Sequence, residues 1–529
     1  MSRRFTLFLF VIIFAVIGLL PILQMFINSV VVDNHISFVN YQMFLSSSRV
    51  WILLKNSLTL SLLTTILATA VGAPLGLLFG KTNLPLNNFL VFLFMLPLLL
   101  PPYITAVAWF AILGRGGILS GVLGASVTEK TSSFLFGLPG CVLVLFTTLM
   151  PIVMLLTITY VKTISLHLEE AARLVTRWRT VARGIIIPMI LPGILLSSIL
   201  VFLLALGEVS VPMFLRYDVF PVESFTQFSA FYNYSTGTAF VIPLILITFF
   251  VLLGERRFLR DKTYQLKTTD SGEETLLVKL GNTKWLLFTV VSIFCFALVI
   301  MPITALVIQS ASVSTYLKAL ERSYDSLLRS ICYAGIGATI LTVFGYFLGY
   351  LIHKKTFSLW RAVDSFTIFL FALPSTVIGI GLAHLWNRPS TNFIYGTAAI
   401  IIFGYIAQYT ALASRITVST LAQIPPSMEE SAQMAGAGWF RRMFWIIAPL
   451  AKRGLVAAWL VSYIFCLKDT GISMIVYPPG QDTFPVRTFT LMANSPTHFI
   501  AALCVIMIMI TLLPMGLLGF LYRVKRLHQ

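Results

Sequence analysis

The sequence predicts an all-α polytopic membrane protein of about 12 transmembrane helices, built as two tandem six-helix repeats with both termini cytoplasmic. Three observations predict it. Of 529 residues, 58% are apolar and only 11% are charged, where a soluble domain carries about a quarter charged residues. Apolar runs of about 20 residues, enough to cross roughly 30 Å of hydrocarbon, recur along the chain. Short patterns also repeat at offsets of 260 to 273 residues, the mark of an internal duplication.

The first span, 5–27, follows Arg3-Arg4 in the charge order of a secretion signal, but it is too long for one and lacks a small-x-small cleavage site. It reads as an uncleaved helix. The next five run over roughly 53–80, 88–112, 139–161, 185–206 and 238–254. A hydrophilic hinge from Gly254 to Thr283, with the polar stretch Thr268 to Glu274 near its middle, reads as a cytoplasmic linker. Six further spans follow at about 285–309, 331–353, 362–386, 395–420, 446–467 and 498–522. The chain thus divides into a first repeat (1–254), a linker (255–284) and a second repeat (285–529). With both ends inside, 26 of the 37 Lys and Arg residues fall in inside segments, among them Lys81, Arg173, Arg256, Lys354, Arg415, Arg441 and Arg442. That is a positive-inside bias.

The same bias explains the net charge of +18 through helix ends and anionic headgroups, so no nucleic-acid partner is expected. Five cysteines lie in or beside apolar runs without a CxxC or His pairing and read as small buried hydrophobes, so neither disulfides nor a metal site are indicated. The six histidines are scattered, and no catalytic residue or cofactor is expected. The nearest approach to a phosphate-binding loop, Gly76 to Thr82, is one residue short and ends an apolar helix; Lys81 reads as an inside anchor. An ion-gradient-driven secondary transporter is the alternative reading. It would need ionisable groups within the spans, and these are nearly absent.

The repeat is most legible in the cytoplasmic loops. Glu169-Glu170-Ala171-Ala172-Arg173 matches Glu429-Glu430-Ser431-Ala432-Gln433 at an offset of 260, Leu206-Gly207-Glu208 matches Leu467-Lys468-Asp469 at 261, and Leu54 to Ser57 matches Leu327 to Ser330 at 273. An even number of spans per unit makes this a parallel repeat about an axis along the membrane normal, enclosing a path between two similar halves. In the second loop, Pro425-Pro426 precedes Ser427-Met428-Glu429-Glu430, the S-x-x-E spacing of a capping box. Gly436 and Gly438 break the helix, and Trp439 to Phe444 form an amphipathic segment leading to Pro449.

This pattern resembles the EAA motif of membrane-spanning subunits of binding-protein-dependent ABC importers: EAA, three residues, Gly, nine residues, I-x-LP. Glu430-Ser431-Ala432, Gly436, Ile446, Ala448 and Pro449 fit it with two substitutions. Glu170-Ala171-Ala172 fits the other copy, with Thr176 at the glycine position and Pro188 one residue early. The fused double arrangement, Leu467 to Gly471 and Tyr477 to Arg487 look like the iron(III)-type importers and their thiamine, putrescine and phosphonate relatives. The resemblance implies that Glu169, Glu170, Ala171, Ala172 and Thr176, with Glu429, Glu430, Ser431, Ala432 and Gly436, form two helices that dock on separate ABC ATPase subunits, expected as a homodimer. It also implies a periplasmic or lipid-anchored substrate-binding protein, a bacterial inner-membrane location, and iron(III) or another small solute as substrate.

Glu208 and Asp469 fall at the outer ends of the fifth and eleventh spans, close to the outer mouth. They either line the translocation path, meet the binding protein, or are solvated loop acids. Pro97, Pro101, Pro102, Pro212 and Pro374 lie in or near spans, where they free carbonyls and bend helices. The outside loops Val32 to Ser48, Gly116 to Gly137 and Pro221 to Thr236 are too short for a domain, so another protein must deliver the substrate.

Overall fold

The computed structural model describes residues 3–32, 35–36, 42, 46–119, 125–230, 234–258, 277–310 and 312–527. The middle of the linker, with its polar stretch 268–274, lies outside the described residues.

The first half runs α1 (Arg3–Val30), α2 (Ser48–Lys81), α3 (Asn87–Leu99), α4 (Pro102–Leu113), α5 (Leu138–Val161), α6 (Leu166–Val175), α7 (Ala182–Leu206), the short α8 (Ser210–Phe214) and α9 (Phe220–Ser229), and α10 (Tyr234–Phe258). The second half runs α11 (Thr283–Gln309), α12 (Val313–Lys354), α13 (Trp360–Ala372), α14 (Ser375–Trp386), α15 (Ala399–Leu421), α16 (Pro426–Met434), α17 (Trp439–Leu450), α18 (Lys452–Leu467), α19 (Ser473–Val476), α20 (Phe484–Leu491) and α21 (Thr497–Leu527). Among the described residues, nine helices are long and apolar enough to cross a membrane, and counting each of three bent pairs as one span makes 12.

Three of the expected spans are bent, two of them at a proline. α3 and α4 meet at 102°, α13 and α14 at 103°, and α17 and α18 at 79°. The first two bends are equivalent, because Pro101 and Pro374 are 273 residues apart. Leu100 and Leu373, forced out of helical geometry by the proline that follows, have ψ of 154° and 142°. Each helix stops there and restarts after a proline that has no N–H to offer. Pro97 and Pro212 stay inside their helices.

Glycines hold each half together. α2 packs along α5, and α12 along α15. A Cβ on Gly76 would stand 2.6 Å from the Met154 carbonyl oxygen and 2.6 Å from Thr157 Cβ. One on the equivalent Gly349 would stand 3.0 Å from the Ser414 carbonyl oxygen and 2.8 Å from Thr417 Cβ. Gly72 and Gly345, one turn earlier, make the same close approach, as small residues do between membrane helices. The glycines of the near phosphate-loop match are thus packing residues.

The halves also exchange their first helices. α1 packs on α14 and α15, with Phe10 stacked on Phe347 (4.4 Å) and Phe14 edge-on to Phe366 (5.3 Å). α11 packs on α4 and α21. Of the five cysteines, four are buried as expected, but Cys332 is exposed on α12.

Gly76→Val forces apart backbones in contact and lowers stability by about 1–3 kcal/mol or more, whereas Gly254→Ala, with nothing within 4 Å of the added carbon, leaves it unchanged. Melting curves of the detergent-solubilised protein check this, and equal melting of both variants would refute the packing role.

Candidate functional site

Two short helices, α6 and α16, stand at equivalent positions, and each is tied to the end of a core helix by a lysine. Lys81 Nζ, at the last residue of α2, lies 2.5 Å from Glu169 Oε1, with both residues buried. Lys354 Nζ, at the last residue of α12, lies 2.8 Å from Glu429 Oε2. The lysines are 273 residues apart and the glutamates 260, so this is one interaction in two copies. In the second copy Tyr350 OH also donates to Glu429 Oε1 at 2.7 Å, and Arg442 Nε lies 3.8 Å from the same oxygen. Lys81 is therefore no mere anchor at the membrane surface. Sequence reasoning missed both lysines, although Lys81 and Lys354 share the 273-residue offset already visible between Ser57 and Ser330.

The expected capping box at Ser427 does not form. α16 starts two residues earlier, with Pro425 as N-cap, Pro426 as first helical residue, and no side-chain cap, an arrangement that suits proline's fixed φ and missing N–H. Glu430, the acid of that box, is exposed, and Glu429 meets Lys354. At the far end Gly436 has φ of +80°, and the Ala437 N–H reaches back to the Ala432 carbonyl at 3.0 Å, a left-handed helix end that favours glycine. Thr176, in the same place, is extended at φ −147° while its N–H bonds the Ala172 carbonyl at 3.0 Å. Losing the glycine changes the exit of the chain and leaves the helix and its ion pair intact.

With one acid of each pair turned inward, the rest of each helix faces out. Glu170 and Glu430 are exposed. So are Leu174 (89%) and its equivalent Met434 (88%), with Leu168 and Met428 as a second matched pair. Ala171 and Ala432 are small neighbours on these helices, and Ser431 is exposed.

The second site is a cavity of about 150 Å³ between the halves, bordered by both proline bends and by Thr148, Gln408, Glu208, Lys468 and Asp469. Thr148 and Gln408 lie midway along α5 and α15, so the cavity sits at mid-depth in the bundle. Glu208 and Asp469 are accordingly not at an outer mouth, and Asp469 is only 4% exposed. Spans α7 and α18 end inside the bundle, and the chain continues through the short helices α8 and α19. Each acid receives an N–H at the start of the short helix that follows: Ser210 N to Glu208 Oε1 at 2.9 Å, and Ser473 N to Asp469 Oδ2 at 2.9 Å. Tyr409 OH also donates to Asp469 Oδ1 at 2.8 Å. Both acids thus satisfy N–H donors left open at the start of a helix.

The carbonyls freed at the bends are satisfied from the cavity side. Lys468 Nζ donates to the Leu98 carbonyl at 2.7 Å, crossing from the second half to the first, and Gln408 Nε2 donates to the Leu373 carbonyl at 3.2 Å. A cation at the C-terminal end of α3 also suits the helix dipole. Among the described residues no group of three or more His, Cys, Asp or Glu converges as metal ligands would.

Two tandem copies of a recognisable unit are present. Residues 72–264 and 341–525 each match the family described as "Binding-protein-dependent transport system inner membrane component". The chain belongs to this family. The chain is similar to a ferric transport system permease protein of Actinobacillus pleuropneumoniae, 25% identical over 425 residues, covering 75% of this chain and 60% of the relative. A putative ferric transport system permease protein of Haemophilus influenzae is 23% identical over 427 residues, 74% of this chain and 65% of the relative. A putative 2-aminoethylphosphonate transport system permease protein of Salmonella typhimurium is 28% identical over 144 residues, 27% of this chain and 54% of the relative. The chain thus spans less than two thirds of the length of these relatives. Both copies of the family unit contain one lysine-held helix and end beyond the cavity, which makes this a multi-pass inner-membrane transport component of the double type.

Two outcomes are expected at the lysine pairs. Lys81→Met strands a buried carboxylate and costs about 3–5 kcal/mol, while Lys81→Met/Glu169→Leu recovers most of it; a double variant that melts no higher than the single one would show that the pair does not hold α6. For Glu429, burial alone would raise the carboxyl, but the hydrogen bonds from Lys354 and Tyr350 and the charges of Lys354 and Arg442 outweigh it and hold it below its ordinary value. Its stabilisation is present above the unfolded value of about 4.3 and is lost as pH falls through the lower folded value. Hydrogen-exchange protection of α16, corrected for intrinsic rates, therefore falls below about pH 4 and is already low at neutral pH in Glu429→Gln.

Proposed function

We propose that this chain is the membrane-spanning permease subunit of an ABC importer, in which α6 and α16 dock on separate ATPase subunits and the mid-depth cavity lies on the translocation path. The observation that carries this reading is the matched pair of helices. Each is fixed to its core helix by one buried or half-buried ion pair, and each turns an acid (Glu170, Glu430) and a long apolar side chain (Leu174, Met434) away from the bundle. Apolar side chains almost fully exposed at equivalent places suit burial by a partner. Two equivalent helices suit two equivalent ATPase subunits, a homodimer, while an extracytoplasmic binding protein brings substrate to the opposite face. The first, degenerate copy docks as the second does, because its helix and its ion pair survive the loss of glycine.

Iron(III) is the substrate this reading favours, from the names of the relatives that span most of the chain. Two carboxylates against one ammonium give the cavity lining a net negative charge, which favours a cation. Identification of the ligand carried by the cognate binding protein tests the substrate independently of docking.

Leu174→Asp/Met434→Asp and Glu170→Lys/Glu430→Lys each abolish co-purification of the ATPase while membrane insertion and melting stay as in the parent protein. Undiminished retention of the ATPase by both double variants would overturn the docking role.

A further inference from the structure

A groove of about 650 Å³ opens between the last turns of α10, from the first half, and the first turns of α13, from the second. Its walls are apolar: Phe249 and Leu253 on one side, Phe366 and Phe369 on the other, with Phe249 and Leu253 each about half exposed. Its rim is charged. Arg415 and Asp364 neutralise one another at 2.7 Å, whereas Arg256 and Arg361 have no ion-pair partner among the described residues. Glu255 also lines the groove, and with Lys355 beside Trp360 the rim keeps a net positive charge. Trp360 at the mouth is flanked by cations, Lys355 Nζ and the Arg361 guanidinium each 5.4 Å from its ring. An aromatic beside cations at a helix end marks the level of lipid headgroups. Phe249 is seven residues deeper than Arg256, about 10 Å along the helix, which is acyl-chain depth.

From this placement we propose that the groove is a binding site for an anionic diacyl phospholipid of phosphatidylglycerol type. Its phosphate sits between Arg256 and Arg361, and one acyl chain lies against Phe249 and Phe369. The net negative charge of the lipid matches the net positive charge of the rim, and a zwitterionic lipid lacks that match. Basic pockets between helices at the membrane surface bind anionic headgroups in this way. Since α10 and α13 belong to different halves, the lipid bridges them on the side of the bundle that carries α6 and α16. The inference rests on the membrane-spanning fold and is independent of ATPase docking.

The test uses the full-length, delipidated protein titrated with phosphatidylglycerol or phosphatidylcholine, with bound lipids counted by native mass spectrometry. In Arg256→Gln/Arg361→Gln the preference for phosphatidylglycerol at the tightest site falls about tenfold or more. Arg256→Lys/Arg361→Lys retains the preference, and so does Lys452→Gln/Arg453→Gln, which removes the same charge elsewhere on that side. A photoreactive phosphatidylglycerol crosslinks within 249–256 and 360–369. Equal loss in the Lys452/Arg453 variant, crosslinks confined to other helices, or full displacement by free glycerol phosphate, which has no acyl chain for the walls, would each overturn the proposal.

Discussion

Inside a bilayer a backbone carbonyl or N–H has no water to turn to, so each must find its partner within the chain. That constraint governs the centre of this protein. Two spans break at proline, and each break frees a carbonyl at mid-depth. The Leu98 carbonyl is taken by Lys468 and the Leu373 carbonyl by Gln408. Two other spans end early, and the short helices after them present unpaired N–H groups to Glu208 and Asp469. Four polar side chains that look out of place in an apolar bundle are those that complete its interrupted backbone. They gather at one place because the interruptions do, and the cavity is the space between them.

The duplication is preserved in the ion pairs, the helix seams and the backbone breaks, and partly abandoned among the side chains that line the cavity. The lysine-to-glutamate pairs, the glycine contacts of α2 with α5 and α12 with α15, and the bends at Pro101 and Pro374 all occur twice. So do the hydroxyls of Ser57 and Ser330, which accept the N–H of Phe220 at 2.9 Å and of Phe484 at 2.6 Å. At the cavity, by contrast, Lys468 answers Gly207, Gln408 answers Thr148 and Tyr409 answers Leu149. A homodimeric cavity would have to carry two copies of each lining residue; a fused chain can place one ammonium and two different acids around a single space.

How much of this was legible in the sequence varies with the reach of the interaction. The spans were legible because hydropathy is a local property, and the helices around Glu169 and Glu429 because their motif is contiguous. The role of Lys81 was hidden: its partner lies 88 residues away, and the offset between repeats shifts from 273 to 260 between the two members of the pair. That shift falls after the bends, where the stretch between α4 and α5 is longer than that between α14 and α15. Glu208 and Asp469 were misplaced for a different reason. A carboxylate after an apolar run reads as the far edge of the membrane unless the run is known to stop halfway, and only the fold shows α7 and α18 ending at the cavity.

The two kinds of site are joined by the core helices themselves. α12 is a continuous helix of 42 residues; Lys354 at one end holds Glu429 of α16, and towards the other end Arg329 pairs with Asp482 at 2.7 Å while Ser330 receives the N–H of Phe484. α2 repeats this with Lys81 and Ser57. Between its two anchors each helix is pressed against α5 or α15 by glycines that leave no room to slide, and α5 and α15 in turn carry the cavity residues Thr148, Gln408 and Tyr409. A short helix tied by one ion pair to such a rod cannot move far without moving the rod. On the proposed docking role, a displacement of α6 or α16 would be borne by the packed pair behind it and passed to the cavity wall as a shift of a rigid unit. In this fold the ion pair is the joint, the glycine seam is the reason the joint has something stiff to pull on, and the proline bends are where the stiffness ends.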